Sequence, residues 1–143
     1  MEVITWKPEY DIGIQEIDEQ HRRLVALINN LYNVLVRKGS AEEIGQVIDE
    51  VIDYTKVHFA IEECLLRMFE YDDYDQHKRG HDLFVEKVLH IHRRFQSGDA
   101  SVSMELFSLL RDWLIQHIQE KDTQYAPVLL KQGVKKSWLR KFW

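Results

Sequence analysis

Histidine and carboxylate side chains recur in pairs whose members are four or five residues apart in the sequence. Two of the pairs have members four residues apart, which is one helical turn, and the third pair has members five apart. One helix can therefore present two ligands to a metal site. The three pairs and one further histidine are His58 and Glu62, His77 and His81, His117 and Asp122, and His21.

The donor set offered by these residues consists of imidazoles and two carboxylates, and it is too large for one tetrahedral zinc ion, which takes four ligands. It suits two ions with octahedral preference. Imidazole with carboxylate favours iron or manganese, and iron is preferred where dioxygen chemistry is involved. If both carboxylates and one oxide or hydroxide bridge the ions, all but one coordination position is filled. The open position favours binding of a small ligand.

Apolar periodicity places these residues on helices. Hydrophobic side chains recur at intervals of three and four residues, which is typical of amphipathic helices. The chain has two prolines, Pro8 and Pro127, and the absence of proline between them favours long helices. The predicted helices are A over about 18–38, B over about 41–69, C over about 73–96 and D over about 102–126.

The breaks between these helices carry turn and capping residues. Gly39 and Gly98 fall at two of the breaks. Connections this short make neighbouring helices antiparallel. We predict an all-α fold: an up-down-up-down antiparallel four-helix bundle with an N-terminal arm and a short basic C-terminal extension. The expected caps are Ser40 for helix B, Asp72 or Asp73 for helix C, and Ser101 or Ser103 for helix D.

Register along the helices supports a single metal site. Residues at equal distances from a connecting loop lie at the same height, and His21 and His58 are symmetric about the first break. The ligand pairs of helices B and C, and of C and D, are centred on the other two breaks. All seven residues are therefore expected at one level. His90 and His92 do not fit the site, and Cys64 is expected to be a packed thiol facing away from the metals.

Composition excludes several classes of protein. The chain has 143 residues, of which 45% are hydrophobic and 30% charged, with a formal net charge of −5. These values suit one domain and argue against a membrane protein or a disordered chain. The acidic balance argues against nucleic acid as a partner. A lone cysteine and the lack of a visible signal peptide predict a cytoplasmic location, and we expect a monomer.

The C-terminal residues 131–143 form a basic aromatic tail that the metal site does not explain. Residues 1–130 are predicted to form the metal-binding bundle as a separate unit. We interpret the tail as a short helix packed back on the bundle, and the alternative is docking to an anionic membrane or a protein partner. The tail has no acidic residue, and its basic residues are Lys131, Lys135, Lys136, Arg140 and Lys141.

The ligand pattern resembles the hemerythrin family, specifically the bacteriohemerythrins. The resemblance covers about residues 4–128 and extends to Trp6, Gly13 and the stretches 17–24, 58–63 and 111–118. It implies a non-heme centre of two iron ions with a bridging oxide or hydroxide, which binds dioxygen reversibly. The implied roles are His77, His81 and His117 on one iron, His21 and His58 on the iron with the open position, and Glu62 and Asp122 as bridges.

The resemblance also implies an apolar lining around the open position. Such a lining excludes water and protons, which would otherwise leave inert ferric iron. On periodicity alone, the aromatic residues and leucines at such positions are more often ordinary core than a ligand pocket. The implied lining residues are Leu24, Phe59, Trp113, Leu114 and Ile118.

The function expected from these features is dioxygen storage, transport or delivery by a binding protein that is not an enzyme. Two alternatives remain open. One is an oxygen- or redox-sensing module, which needs an output partner. The other is a di-iron peroxidase or a nitric oxide-handling enzyme, which needs an acid-base residue beside the open position.

Overall fold

The computed structural model describes residues 3–99 and 101–131, and within them the chain forms helices and no strand. The four predicted helices are all present, so the all-α four-helix bundle is confirmed. The basic tail after Lys131 lies outside the described residues. The elements are a 3₁₀-helix at Pro8–Tyr10, α1 at Gln15–Val36, α2 at Ala41–Met68, α3 at Tyr74–Gln96, α4 at Val102–His117, a π-helix at Ile118–Asp122, and α5 at Thr123–Lys131.

Each long helix packs against two neighbours in the bundle. Helix α1 contacts α2 and α4, and α3 contacts the same two helices from the other side. Short connections between consecutive helices impose the antiparallel arrangement. None of the helices in the described part of the chain combines the length and apolar character that crossing a bilayer requires.

The helix ends show which capping predictions hold. The Ser40 side chain accepts a hydrogen bond from the backbone N–H of Glu43 at 3.1 Å, as predicted. Asp73 and Ser101 occupy the N-cap positions of α3 and α4 as predicted, but neither side chain bonds the helix backbone. The Ser101 hydroxyl instead donates to Asp99.

Three helices end in the same backbone motif, in which one residue adopts a left-handed conformation and the next N–H bonds back five residues. Gly98 is the expected residue type for this role at the end of α3, with φ of 103°. Lys38 and Glu70 take the same role after α1 and α2, although they carry side chains. The closing bonds run from Gly39 to Val34, from Tyr71 to Leu66 and from Asp99 to Arg94.

The fourth helical segment runs farther than predicted. Helix D was expected to end at residue 126, before Pro127, but helical structure continues through the π-helix and α5 to Lys131. Tyr125, Ala126 and Leu129 of α5 are buried in a shared apolar cluster. Tertiary packing of this face therefore outweighs the loss of one hydrogen bond at the exposed Pro127.

The candidate ligands divide the apolar core into two clusters. The larger cluster includes Leu24 and Phe84 and fills the bundle on one side of the ligand level. The smaller cluster includes Ile17, Leu65 and Tyr125 and closes the bundle on the other side. The layer of candidate ligands therefore lies between two apolar clusters, as a buried metal site requires.

The N-terminal arm covers part of this core. The Asn29 side chain accepts hydrogen bonds from the backbone of Val3 and Ile4 and donates back to the Ile4 carbonyl at 2.9 Å. The buried carboxylate of Asp18 accepts bonds from the backbone of Ile12 and Gly13. These bonds fix the arm against α1, the helix that carries His21.

Gly80 lies inside α3 without a steric reason for its missing side chain. A Cβ atom placed on Gly80 meets no heavy atom within 4 Å, and its backbone is helical. Glycine inside a helix costs about 0.5–1 kcal/mol relative to alanine. We therefore expect Gly80→Ala to raise the free energy of unfolding by roughly that amount. Denaturant unfolding of both proteins tests this, and an unchanged or lower midpoint contradicts it.

Candidate metal centre

All seven predicted ligands meet at one level of the bundle. Their donor atoms form two groups that share Glu62, and within each group all atoms lie within 4.8 Å of one another. All seven side chains are buried. One group is Glu62 with His77, His81 and His117, here termed the three-histidine half, and the other is Glu62 and Asp122 with His21 and His58, here termed the two-histidine half.

The two oxygens of Glu62 point to different halves of the site. Oε1 lies 2.5 Å from Nε2 of His77 and 3.1 Å from Nε2 of His81. Oε2 lies 3.4 Å from Nε2 of His58 and 3.8 Å from Nε2 of His21. A carboxylate in this orientation can give one oxygen to each of two metal ions.

Asp122 has the same divided orientation. Its Oδ1 lies 3.1 Å from Nε2 of His117 and 3.3 Å from Nε2 of His77. Its Oδ2 lies 3.1 Å from Nε2 of His21. Both carboxylates therefore direct one oxygen toward each half, which is the arrangement that two bridging ligands need.

A π-helix explains how His117 and Asp122 share a face although they are five residues apart. In an α-helix, five residues span about 500°, so the two side chains would point about 140° apart. The π-helix at Ile118–Asp122 inserts one extra residue into the turn. The side chain of Asp122 thereby lies on the same helix face as that of His117. The five-residue spacing, against four in the other two pairs, is the sequence signal for this turn.

The buried donor atoms fit metal ions better than they fit one another. Both Asp122 oxygens are buried without a hydrogen-bond partner. The nearest imidazole nitrogens lie 3.1 Å from the Asp122 oxygens but are not aligned for hydrogen bonds. In addition, Nε2 atoms of His81 and His117 face each other at 3.0 Å. Buried carboxylate oxygens that lack a hydrogen-bond partner are groups that a bound cation satisfies.

Charge in the site is also arranged for a cation. Burial favours the neutral imidazole of His77 and His117, but the carboxylates of Asp122 and Glu62 outweigh burial. They raise the pKa of His77 to about 9 and the pKa of His117 to about 10. Burial alone would raise the pKa of Glu62, but the surrounding imidazoles hold it well below its usual range. Without a metal, protons bound to the histidines balance the negative charge of the carboxylates. Metal ions displace these protons when they bind.

Two polar side chains orient the imidazoles from outside the ligand set. Nδ1 of His81 lies 2.8 Å from a Glu63 oxygen, and Nδ1 of His58 lies 2.7 Å from Oε1 of Gln20. Because a carboxylate oxygen only accepts, Nδ1 of His81 carries the proton and its Nε2 is left free to bind a metal. Gln20 and Glu63 lie within the stretches that resemble the family, but no role was predicted for either residue.

Tyr125 is a site residue that sequence analysis missed. Its side chain is fully buried, and its hydroxyl donates a hydrogen bond to Oε2 of Glu62 at 3.1 Å. Burial and the Glu62 carboxylate raise the pKa of this phenol well above its ordinary value, so it remains a donor. Nothing in its spacing distinguishes it from a core tyrosine, because its partner lies 63 residues away.

We expect Tyr125→Phe to weaken metal binding about 10- to 100-fold, because Glu62 loses the donor that fixes its orientation. Competition with a chelator on the full chain measures this. Tyr71→Phe is the matched control, since its ring lies 6.1 Å from that of Tyr125. Equal metal affinities in the wild type and Tyr125→Phe would show that this hydrogen bond does not support the site.

The five predicted lining residues lie in or against the larger apolar cluster beside the ligands. Leu24, Leu114 and Ile118 are buried. The Phe59 ring stacks on His81 at 3.8 Å, whereas its distance to the His58 ring is 5.9 Å. Phe59 was expected close to the two-histidine half, and its closest stacking is with the other half.

Trp113 likewise packs on the three-histidine half. Its ring stacks on His117 at a centroid distance of 4.3 Å and on Phe84 at 3.9 Å. Trp113 is half-buried, unlike the other four lining residues. Aromatic rings therefore cover the three-histidine half, while aliphatic Leu24 lies one turn beyond His21.

The remaining histidines and the cysteine lie outside the site. His90 is exposed, and Nε2 of His92 lies 2.9 Å from Asp49. The prediction of a packed thiol at Cys64 is wrong, because this side chain is exposed. It does point away from the ligands, as its position two residues after the buried Glu62 requires.

Comparisons with known proteins agree with this geometry. Residues 12–129 match the family described as Hemerythrin HHE cation binding domain. The chain is 40% identical over 126 residues to a bacteriohemerythrin of Stenotrophomonas maltophilia, covering 88% of this chain and 81% of the relative. It is 32% identical over 130 residues to a bacteriohemerythrin of Methylococcus capsulatus, covering 90% and 98% respectively.

Solved structures show the same fold. A crystal structure of wild-type hemerythrin superimposes with a TM-score of 0.82 at 32% identity, covering 87% of this chain and 96% of that one. A structure of a hemerythrin variant gives a TM-score of 0.83 at 31% identity, covering 89% and 97%. Members of this family typically bind oxygen at a di-iron centre. The sequence match, the fold and the buried ligand set together show that this chain belongs to the hemerythrin family.

Proposed function

We propose that this protein binds dioxygen reversibly at a centre of two iron ions and serves in oxygen storage, transport or delivery in the cytoplasm. The observation that carries the proposal is the divided orientation of Glu62 and Asp122, each with one oxygen toward either half of the site. The iron pair, when bound, supplies the electrons that dioxygen takes up on binding.

The two halves of the site contain different numbers of histidine ligands. His77, His81 and His117 surround one half, and only His21 and His58 surround the other. With both carboxylates shared, the two-histidine half has one ligand fewer. This asymmetry supports a single open position for dioxygen in the two-histidine half.

The surrounding side chains keep this half dry. His21 and His58 are fully buried or nearly so, and Leu24 and Ile118 are buried in the adjacent cluster. Water and protons reaching the centre would convert it to inert ferric iron, so a sealed apolar surround favours reversible binding.

Visible spectra of the reduced, iron-loaded full chain test the proposal. We expect a new absorption band on admitting dioxygen, its loss under argon, and its return over repeated cycles. A band that does not reverse contradicts reversible binding. Catalytic consumption of peroxide or nitric oxide at rates far above those of free iron would favour an enzyme, whereas a second state that changes the binding of a partner would favour a sensor.

A further inference from the structure

A cleft of about 280 Å³ opens on the bundle surface between α3 and the segment formed by α4 and the π-helix. His77 and His117 form part of its wall. Trp113, which stacks on His117 in the three-histidine half, is also a wall residue of this cleft. The volume of the cleft is just below the range that is usual for small-molecule pockets, so it suits a small planar molecule.

The candidate ligands that are most exposed to solvent border this cleft. His77 and His117 are 6% and 7% exposed, whereas the other five candidate ligands are at most 1% exposed. The centre is therefore sealed at the two-histidine half and reaches the surface at the three-histidine half. An imidazole that both binds iron and borders a cleft offers a short path for electrons.

Gly80 helps to keep this cleft open. It is a wall residue one turn after Gln76, and a Cβ atom at this position would extend into unoccupied space. A glycine inside a helix is unfavourable and has no packing reason here. Its missing side chain leaves room above His77.

The other wall residues indicate what kind of molecule fits. Gln76, Gln116 and Gln124 supply amides that can both donate and accept hydrogen bonds, and Tyr71 supplies an aromatic ring. The charged side chains of the wall are Asp73, Glu120 and Lys121, which leave one net negative charge. This lining suits a planar ring with carbonyl and N–H edges and offers no cluster of cations for an anion.

We propose that this cleft is the docking site for a planar heterocyclic reductant of the reduced flavin class, which restores the ferrous state through His77 and His117. The reduced ring gives up two electrons and two protons. The electrons convert two ferric ions to two ferrous ions, and the protons pass to solvent. This inference rests on the proposed function, because it assumes the iron pair.

The test uses the diferric full chain and lumiflavin, a flavin ring without a phosphate. Quenching of the fluorescence of oxidised lumiflavin measures binding without any net reaction. Stopped-flow mixing with reduced lumiflavin then measures how fast the ferric absorption is lost. Gly80→Met fills the cleft, Gly80→Ala controls for loss of the glycine, and Arg79→Met places the same side chain on an exposed neighbour outside the cleft.

We expect saturable binding and saturable reduction in the wild type and in Arg79→Met. Gly80→Met should weaken binding and slow reduction, each about tenfold or more. Absence of saturable binding in the wild type, or equal binding by Gly80→Met, overturns the proposal. Dioxygen binding by the ferrous wild type is measured in parallel: if it is present without lumiflavin binding, only this inference fails, and if it is absent, the proposed function fails.

Discussion

The oxygenated form of Leu24→Asp is expected to decay about tenfold faster or more than that of the wild type, which corresponds to about 1.4 kcal/mol in the barrier. Leu24 is 2% exposed and lies one helical turn from His21, in the apolar cluster beside the two-histidine half. A carboxyl group there brings water and a proton source to a dry region. The decay of the oxygenated absorption band in air measures the rate.

Leu31→Asp is the matched control for this prediction. Leu31 is fully buried in the same cluster, but it is ten residues from His21, or about 15 Å along the helix. Both variants bury a charge and lose stability, so the milder pair Leu24→Ser and Leu31→Ser is measured as well. Equal lifetimes of the oxygenated form in wild type and both Leu24 variants would rule out the dry-pocket explanation.

Removal of the Asp122 carboxylate is expected to reduce iron content from two ions to about one per chain. In Asp122→Ala, the three-histidine half keeps its imidazoles and Glu62, and the two-histidine half keeps only His21, His58 and a share of Glu62. The two-histidine half should therefore lose its ion first. Iron analysis after gel filtration measures the loss, and the dioxygen-dependent band should disappear with it.

Glu120→Ala provides the control on the same π-helix. Glu120 is exposed and lies two residues before Asp122, so its loss tests whether any change in this segment disturbs the site. We expect Glu120→Ala to keep two irons. Retention of two irons by Asp122→Ala would mean that this residue does not bridge them.

The bundle and the ligand level are predictable because they are encoded in local spacing. His58 and Glu62 are one turn apart on a helix with strong apolar periodicity, and this pattern remains readable without any tertiary information. The breaks between helices also set the register that brings His21 to the same level. Both features are properties of single helices and short connections.

Features that depend on contacts distant in sequence could not be predicted in the same way. The Tyr125 hydroxyl contacts Glu62 across the bundle. The Phe59 ring stacks on His81 rather than on the adjacent His58, because the packing of α2 against α3 determines the position of the ring. The π-helix was visible only as an unusual spacing before Asp122. The continuation past Pro127 depends on burial of one face of α5 in the smaller cluster.

The iron stoichiometry of the purified full chain tests most directly whether Glu62 and Asp122 join two half-sites. Two irons per chain are predicted, one for each of the two ligand groups that share Glu62. His21→Ala should reduce this value, since His21 lies in the two-histidine half. One iron per chain in the wild type, unchanged by His21→Ala, would contradict a two-iron centre.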